Sequence, residues 1–213
     1  MTGHHSAIRS THQQTGGRLR GVRRMCVAAA AALFVSAVAA AADPEPGPQV
    51  SVLEDGGIYT VAARFAVPEP AAIVLAVLSD YEEIPRFMPQ IKTSVVLERS
   101  GDRTLVEQEA VARLLAFSKH VHLVLEIDQD AQTLRFRDRC GVSFKSYSGA
   151  WRVSEQDGRT EIGYELRTEP AFDVPPFLLK RLLKRDSAQT IEQLRREIAA
   201  RGALRAAPPR SGR

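Results

Sequence analysis

The sequence predicts an α+β domain, an antiparallel sheet with one long helix laid across it, and three observations carry that reading. In residues 174–201, Leu179, Leu182, Leu183, Ile191, Leu194 and Ile198 recur at gaps of three or four, or multiples of these. That spacing places them on one stripe of an α-helix. Between residues 50 and 168 most segments alternate apolar and polar side chains, as half-buried strands do. Those segments follow one another through short turn signals, so neighbours pair as hairpins and the sheet is antiparallel. Burying about six apolar side chains of the helix contributes roughly 10 kcal/mol gross, at ~1.5–3 kcal/mol each.

The chain opens on a leader. Arg18, Arg20, Arg23 and Arg24 precede an apolar run from Met25 to Ala42, which ends in Ala40-Ala41-Ala42-Asp43. A basic region, an apolar region and a small-residue cleavage site read as a signal peptide over residues 1–42, cleaved near Ala42–Asp43. Export to the periplasm or secretion is therefore expected. The alternative is an uncleaved anchor formed by residues 25–42, but alanine gains little from lipid. The proline-rich residues 43–49 read as an extended linker. Residues 50–201 form the expected domain, and residues 202–213 an expected disordered tail.

Removing the leader changes the charge argument. The chain carries 29 Lys+Arg and 25 Asp+Glu, and the leader holds five arginines and no acidic residue. The remainder has 29 − 5 = 24 cations against 25 anions, so its basicity is no sign of nucleic-acid binding. Cys140 is the one cysteine beyond the leader and has no intramolecular partner for a disulfide. One Cys and two His without ligand spacing do not make a zinc site, so no metal and no cofactor are expected.

Within the domain, a short strand near Val50 leads through Gly56-Gly57 into a strand over Ile58–Val67. There Tyr59, Val61, Ala63, Phe65 and Val67 share one face. Residues 71–78 read as a short helix behind Pro70, and Asp80-Tyr81-Glu82-Glu83-Ile84-Pro85 as a second helical turn. Strands are expected over residues 91–99, 104–113, 117–127, 133–139, 146–154 and 160–168, with Asp- and Gly-rich turns between them. In residues 117–127 the odd positions are the buried face; in residues 133–139 Arg135, Arg137 and Arg139 point outward. The helix begins at Pro175-Pro176 and ends before Gly202 and Pro208-Pro209.

Three stretches carry a family resemblance. They are Tyr81-Glu82-Glu83-Ile84-Pro85-Arg86-Phe87-Met88-Pro89 with Ser94 following, Trp151-Arg152-Val153, and Glu169-Pro170-x-Phe172 ahead of Pro175-Pro176. Together they resemble the START-like polyketide cyclase/dehydrase superfamily (SRPBCC), nearest its coenzyme Q-binding START group. The resemblance runs from about Ile58 to Ile198. It implies a helix-grip fold: a curved antiparallel sheet of about six or seven strands wrapped around the C-terminal helix, with an apolar cavity between them. The expected ligand is a hydrophobic small molecule of the lipid or quinone class.

The expected cavity walls follow from parity within that fold. They are Tyr59 and Val61 from the first long strand, Phe87 from the proline-bracketed turn, and Phe117, Val121 and Leu123 from the strand at residues 117–127. Phe136, Tyr147, Trp151 and Tyr164 come from later strands, and Leu179, Leu182 and Leu183 from the helix. Lys180, Arg181, Lys184 and Arg185 cluster in the first half of the helix, where they oppose the helix dipole. They are possible headgroup contacts for a peripheral membrane encounter, against the plainer reading of a solvated face. His120 and His122 share a polar face. Arg113 paired with Ser118 would set Glu109 opposite His122, and Thr133 paired with Glu126 would set Arg137 beside it, an ordinary cross-strand charge row.

The leading functional expectation is a monomeric, non-enzymatic carrier or binding domain. A cyclase or dehydrase on an aromatic or polyketide-like substrate is the alternative, with Tyr59, Tyr147 and Tyr164 as inward proton donors. It requires at least two polar side chains converging inside the cavity. A protein-interaction module is the third reading and would go with a filled core.

Overall fold

The computed structural model describes residues 48–114 and 117–206, without the side chains of Leu114 and Phe117. All of these belong to the unit that begins at Pro44. The expected signal peptide over residues 1–42, its anchor alternative and the part of the expected tail beyond Ala206 lie outside the described residues.

The elements in order are β1 (Gln49–Asp55), β2 (Ile58–Val67), α1 (Ala71–Leu78), a 3-10 turn (Tyr81–Glu83), α2 (Ile84–Phe87), β3 (Ile91–Ser100), β4 (Arg103–Leu114), β5 (Phe117–Gln129), β6 (Thr133–Asp138), β7 (Phe144–Gln156), β8 (Arg159–Pro170) and α3 (Pro176–Ala206). Eight strands form one antiparallel sheet in the order β1-β2-β8-β7-β6-β5-β4-β3. That is one or two more than expected, and the first begins at Gln49, inside the expected linker. No described helix is long and apolar enough to cross a membrane.

Alternation decides which face is buried. Tyr59, Val61, Ala63, Phe65 and Val67 of β2 are all buried, as are Val121, Leu123, Leu125 and Ile127 of β5. These side chains face the concave side, where α3 packs on β1, β2, α1 and α2. The helical stripe is buried at Leu179, Leu182, Ile191, Leu194 and Ile198. One large cluster joins Val61, Val153 and Ile162 to Ile191, Leu194 and Ile198. A second gathers Tyr81, Val106 and the inward residues of β5. Tyr59, Leu179 and Leu182 make a third, smaller cluster near the start of α3.

Two expectations need correction. The helix does not stop before Gly202 but runs to Ala206. A Cβ at Gly202 would stand 2.7 Å from the Glu69 side chain, so this glycine permits a close approach rather than ending the helix. The second concerns the β5–β6 hairpin. Arg113 does pair with Ser118 and Glu109 with His122. Arg137, however, pairs with Glu126, not beside His122. The Asp130 carboxylate accepts from the N–H groups of Gln132 (2.9 Å) and Thr133 (2.7 Å), which tightens the turn and lengthens β5. The slip is even, so inward and outward faces are preserved.

Candidate ligand cavity

The segment from Ser79 to Gln90 forms the roof over the β4–β6 side of the sheet. Its sequence allows little freedom: Pro85 opens α2 and Pro89 follows it. The Ser79 hydroxyl donates to the Leu75 carbonyl at 2.7 Å. The Met88 and Ile91 N–H groups donate to the carbonyls of Ile84 and Met88. Arg201 of α3 pairs with Asp80 at 2.8 Å and with Glu197 at 2.7 Å, which ties the roof to the helix. The Arg99 guanidinium lies 5.8 Å from the centroid of the Tyr81 ring.

Beneath that roof is a cavity of about 240 Å³. Val77, Leu78, Ile84, Phe87 and Met88 close it from above, with Leu194 and Thr190 from α3. Leu123, Leu125 and Ile127 of β5, Leu134 and Phe136 of β6, Tyr147 and Trp151 of β7 and Tyr164 of β8 form its floor. Gly149 stands opposite Phe136. A Cβ there would meet the Phe136 ring at 2.5 Å, so the glycine lets that ring lie across the strand.

The polar groups of the cavity are few. The Tyr147 and Tyr164 hydroxyls are hydrogen-bonded to each other. Burial pushes the Tyr147 phenol up to about 12, with the Asp138 carboxylate adding to the rise. Burial also holds Tyr164 well above the usual phenol range. Both are therefore neutral at neutral pH, with Tyr164 donating to Tyr147 and the Tyr147 O–H left to donate. The Trp151 and Tyr164 rings lie 4.2 Å apart between centroids. The Gln108 amide donates to the Ser94 hydroxyl at 3.1 Å. Two atoms are orphaned: the Tyr81 hydroxyl and the Gln90 side-chain carbonyl oxygen are buried without a hydrogen-bond partner. Among the described residues the lining holds no carboxylate, imidazole, thiol, ammonium or guanidinium.

Six of the expected wall residues meet here: Phe87, Leu123, Phe136, Tyr147, Trp151 and Tyr164. The structure places others elsewhere. Val61 is in the filled core against α3, and Leu183 packs on its margin. Val121 belongs to the β5 cluster but not to the cavity lining. Tyr59, Leu179 and Leu182 pack on one another at the far end of the helix. The Phe117 side chain lies outside the described residues. Tyr81, Gln90 and Gln108 were not among the expected walls. Alternation in β4 was the available signal for Gln108, which falls between buried Val106 and cavity-lining Ala110.

The remaining candidates lie away from the cavity. Lys180, Arg181, Lys184 and Arg185 are all exposed. His122 Nδ1 is 2.5 Å from Glu109 Oε1, and its Nε2 is 3.8 Å from Glu107, on the outer face of the sheet. No group of three or more His, Cys, Asp or Glu able to hold a metal occurs among the described residues.

Residues 67–195 match the family described as polyketide cyclase / dehydrase and lipid transport. A solved structure from Thermus thermophilus is similar at a TM-score of 0.58 and 23% identity, over 67% of this chain and 98% of that one. An aromatase/cyclase from a Streptomyces species is similar at 0.58 and 18% identity, over 70% and 97% of the two chains. A STAR-related lipid transfer protein from Xanthomonas axonopodis is similar at 0.54 and 15% identity, over 70% and 98%. At these identities the likeness is one of fold. No curated protein matches the sequence.

Proposed function

Because the chain belongs to the polyketide cyclase / dehydrase and lipid transport family, we propose that it binds or carries a hydrophobic small molecule in the cavity between sheet and helix. The observation that carries this reading is the lining: apolar and aromatic walls with a few fixed polar groups, the usual composition of a small-molecule site. A filled core would have favoured a protein-interaction module.

Size narrows the ligand. A cavity of about 240 Å³ exceeds the roughly 150 Å³ that accepts a benzene. It falls below the roughly 300–1,000 Å³ of drug-sized sites. A ring system such as a quinone head, or a short acyl segment, fits inside. A longer tail has to leave through the mouth. The tyrosines supply hydrogen-bond donors for a carbonyl or hydroxyl on the ring.

The same tyrosines keep a cyclase-type reading in view, since Tyr81, Tyr147 and Tyr164 all reach the cavity. A condensation needs a base as well as a donor. The described lining holds no carboxylate or imidazole to serve as that base, which favours binding over conversion.

The leader supports export, so the proposal includes action in the periplasm or as a secreted protein. The exposed Lys180, Arg181 and Lys184 suit a peripheral contact with an anionic membrane, where a monomer would collect or deliver its ligand. Native mass spectrometry of the full chain, with organic extraction of the complex, tests the central reading. One bound lipid or quinone per chain is expected. A chain that is empty as isolated and stays empty in excess quinone and fatty acid contradicts it.

A further inference from the structure

The cavity has a neighbour. Gln90 and Thr190 line it and also line an outer cleft of about 420 Å³, between α3 and the β3–β4 pair. Lys92, Arg113 and Arg185 face that cleft, with Asp186 as its one carboxylate. Of the four basic residues in the first half of α3, only Arg185 takes part.

The charges there are unequally satisfied. Asp186 is paired with Arg185 at 2.8 Å. Arg185 also donates to the Arg113 carbonyl at 2.9 Å, bridging helix and sheet at the rim. The Lys92 ammonium gives one hydrogen bond to the Pro89 carbonyl at 2.7 Å and keeps two donors. The Arg113 guanidinium has no ion pair or hydrogen bond among the described residues. A cleft with low-dielectric walls and excess positive charge attracts an anion.

The junction carries an independent sign of a ligand. Gln90 donates its amide N–H to Gln193 at 3.0 Å, while its carbonyl oxygen is buried without a partner. Deeper in the cavity, beside Val106 and under the Arg99 guanidinium, Tyr81 is only 3% exposed and its hydroxyl is likewise unpartnered. Buried orphans of this kind are rare. One of them, Gln90, stands where cleft and cavity meet, and the other, Tyr81, lines the cavity itself.

We propose, resting on the reading that the cavity holds the ligand, that the cleft is its entrance and anion subsite. The ligand is an anionic amphiphile. Its carboxylate or phosphate group meets Lys92, Arg113 and Arg185, and its apolar body passes Gln90 and Thr190 into the cavity. A hydroxyl or N–H next to the anion would satisfy the Gln90 oxygen, and a polar group further in would meet Tyr81.

Two fluorescent probes with the same apolar body test this: 8-anilinonaphthalene-1-sulfonate, which is anionic, and N-phenyl-1-naphthylamine, which is neutral. Both are titrated into the full chain, into Lys92→Glu/Arg113→Glu, into Arg64→Glu/Arg167→Glu on the convex face, and into Ala110→Phe, which fills the cavity. Thermal melts confirm that each variant is folded. The wild type is expected to favour the anionic probe roughly tenfold, two to three partly exposed charge contacts being enough for that. The preference should shrink as salt is raised. It should fall to about one in the cleft variant, survive in the convex-face variant, and Ala110→Phe should bind neither probe.

Equal affinity for the two probes in the wild type, or a preference that survives in the cleft variant, overturns the anion subsite and leaves the cavity reading standing. Failure of both probes to bind, or full binding by Ala110→Phe, overturns the cavity reading and the subsite with it. Displacement of the anionic probe by decanoate or by decyl phosphate shows which anion the cleft takes. Displacement by neither contradicts the proposal.

Discussion

The two halves of the concave face meet their covering layer differently. On the β2–β8 side the helix lies directly on the strands, and Val61, Ile162, Ile191 and Ile198 are at most 1% exposed. On the β4–β6 side Leu123, Leu125, Ile127 and Leu134 are also buried. Their cover is the short roof from Ser79 to Gln90, and about 240 Å³ stays open beneath it. The strands of both halves are mostly apolar on this face, Gln108 of β4 being the exception in the open half. What separates a core from a binding site is the layer above: α3 can interdigitate with the sheet along its stripe, whereas a proline-bounded turn only spans it. The orphaned hydroxyl and amide oxygen belong to the spanned half.

That contrast is open to direct attack. Ile191→Ala, in the filled half, is expected to cost about 4 kcal/mol in denaturant unfolding. Leu125→Ala, on a wall already open to the cavity, should cost about 2 kcal/mol, because the loss scales with the new void. Equal costs would say that the halves are packed alike. A smaller difference separates two tyrosines. Tyr147→Phe leaves the Tyr164 hydroxyl unpaired and should destabilise by about 1–2 kcal/mol. Tyr81→Phe removes a group that has no partner and should be neutral or slightly stabilising.

Alkaline titration sharpens the same point. All four tyrosines of the chain are shifted upward, chiefly by burial. A phenol whose folded pKa exceeds its unfolded value contributes stability that is fully present below the unfolded pKa, near 10, and is lost as pH rises through the folded one. Unfolding free energy should therefore hold up to about pH 10 and fall towards about 12, the value for Tyr147. Tyrosinate absorbance should appear late and together with unfolding. An early, separate ionisation step would place a tyrosine in water. A similarly small effect on stability is expected from Ala110→Phe, within about 1 kcal/mol, because the new ring enters existing space.

Much of this fold was legible because strands and helices impress their periods on the sequence. The parity of Tyr59 to Val67 in β2 and of the odd residues in β5 survived into the structure. So did the stripe of α3. The cavity was only partly legible. Parity assigns Val61 and Leu123 to the same face, but it does not say which of them the helix covers. Leu179 and Leu182 lie on the stripe yet meet Tyr59, not the ligand space. The helix end was misread because glycine is a poor helix former, while Gly202 serves the contact with Glu69. The cleft was illegible, since Lys92, Arg113 and Arg185 come together only where the tertiary fold sets α3 across a gap from the β3–β4 pair.

Trp151 is the only tryptophan of the chain, and it stands in the cavity wall. Its fluorescence, titrated with a short-chain quinone in the wild type and in Ala110→Phe, tests the central claim most directly. Saturable quenching at one equivalent in the wild type, lost in the filled variant, is the predicted result. Quenching that rises linearly with quinone and is the same in both proteins would mean that the ligand meets Trp151 only by collision, and that the cavity is not a binding site.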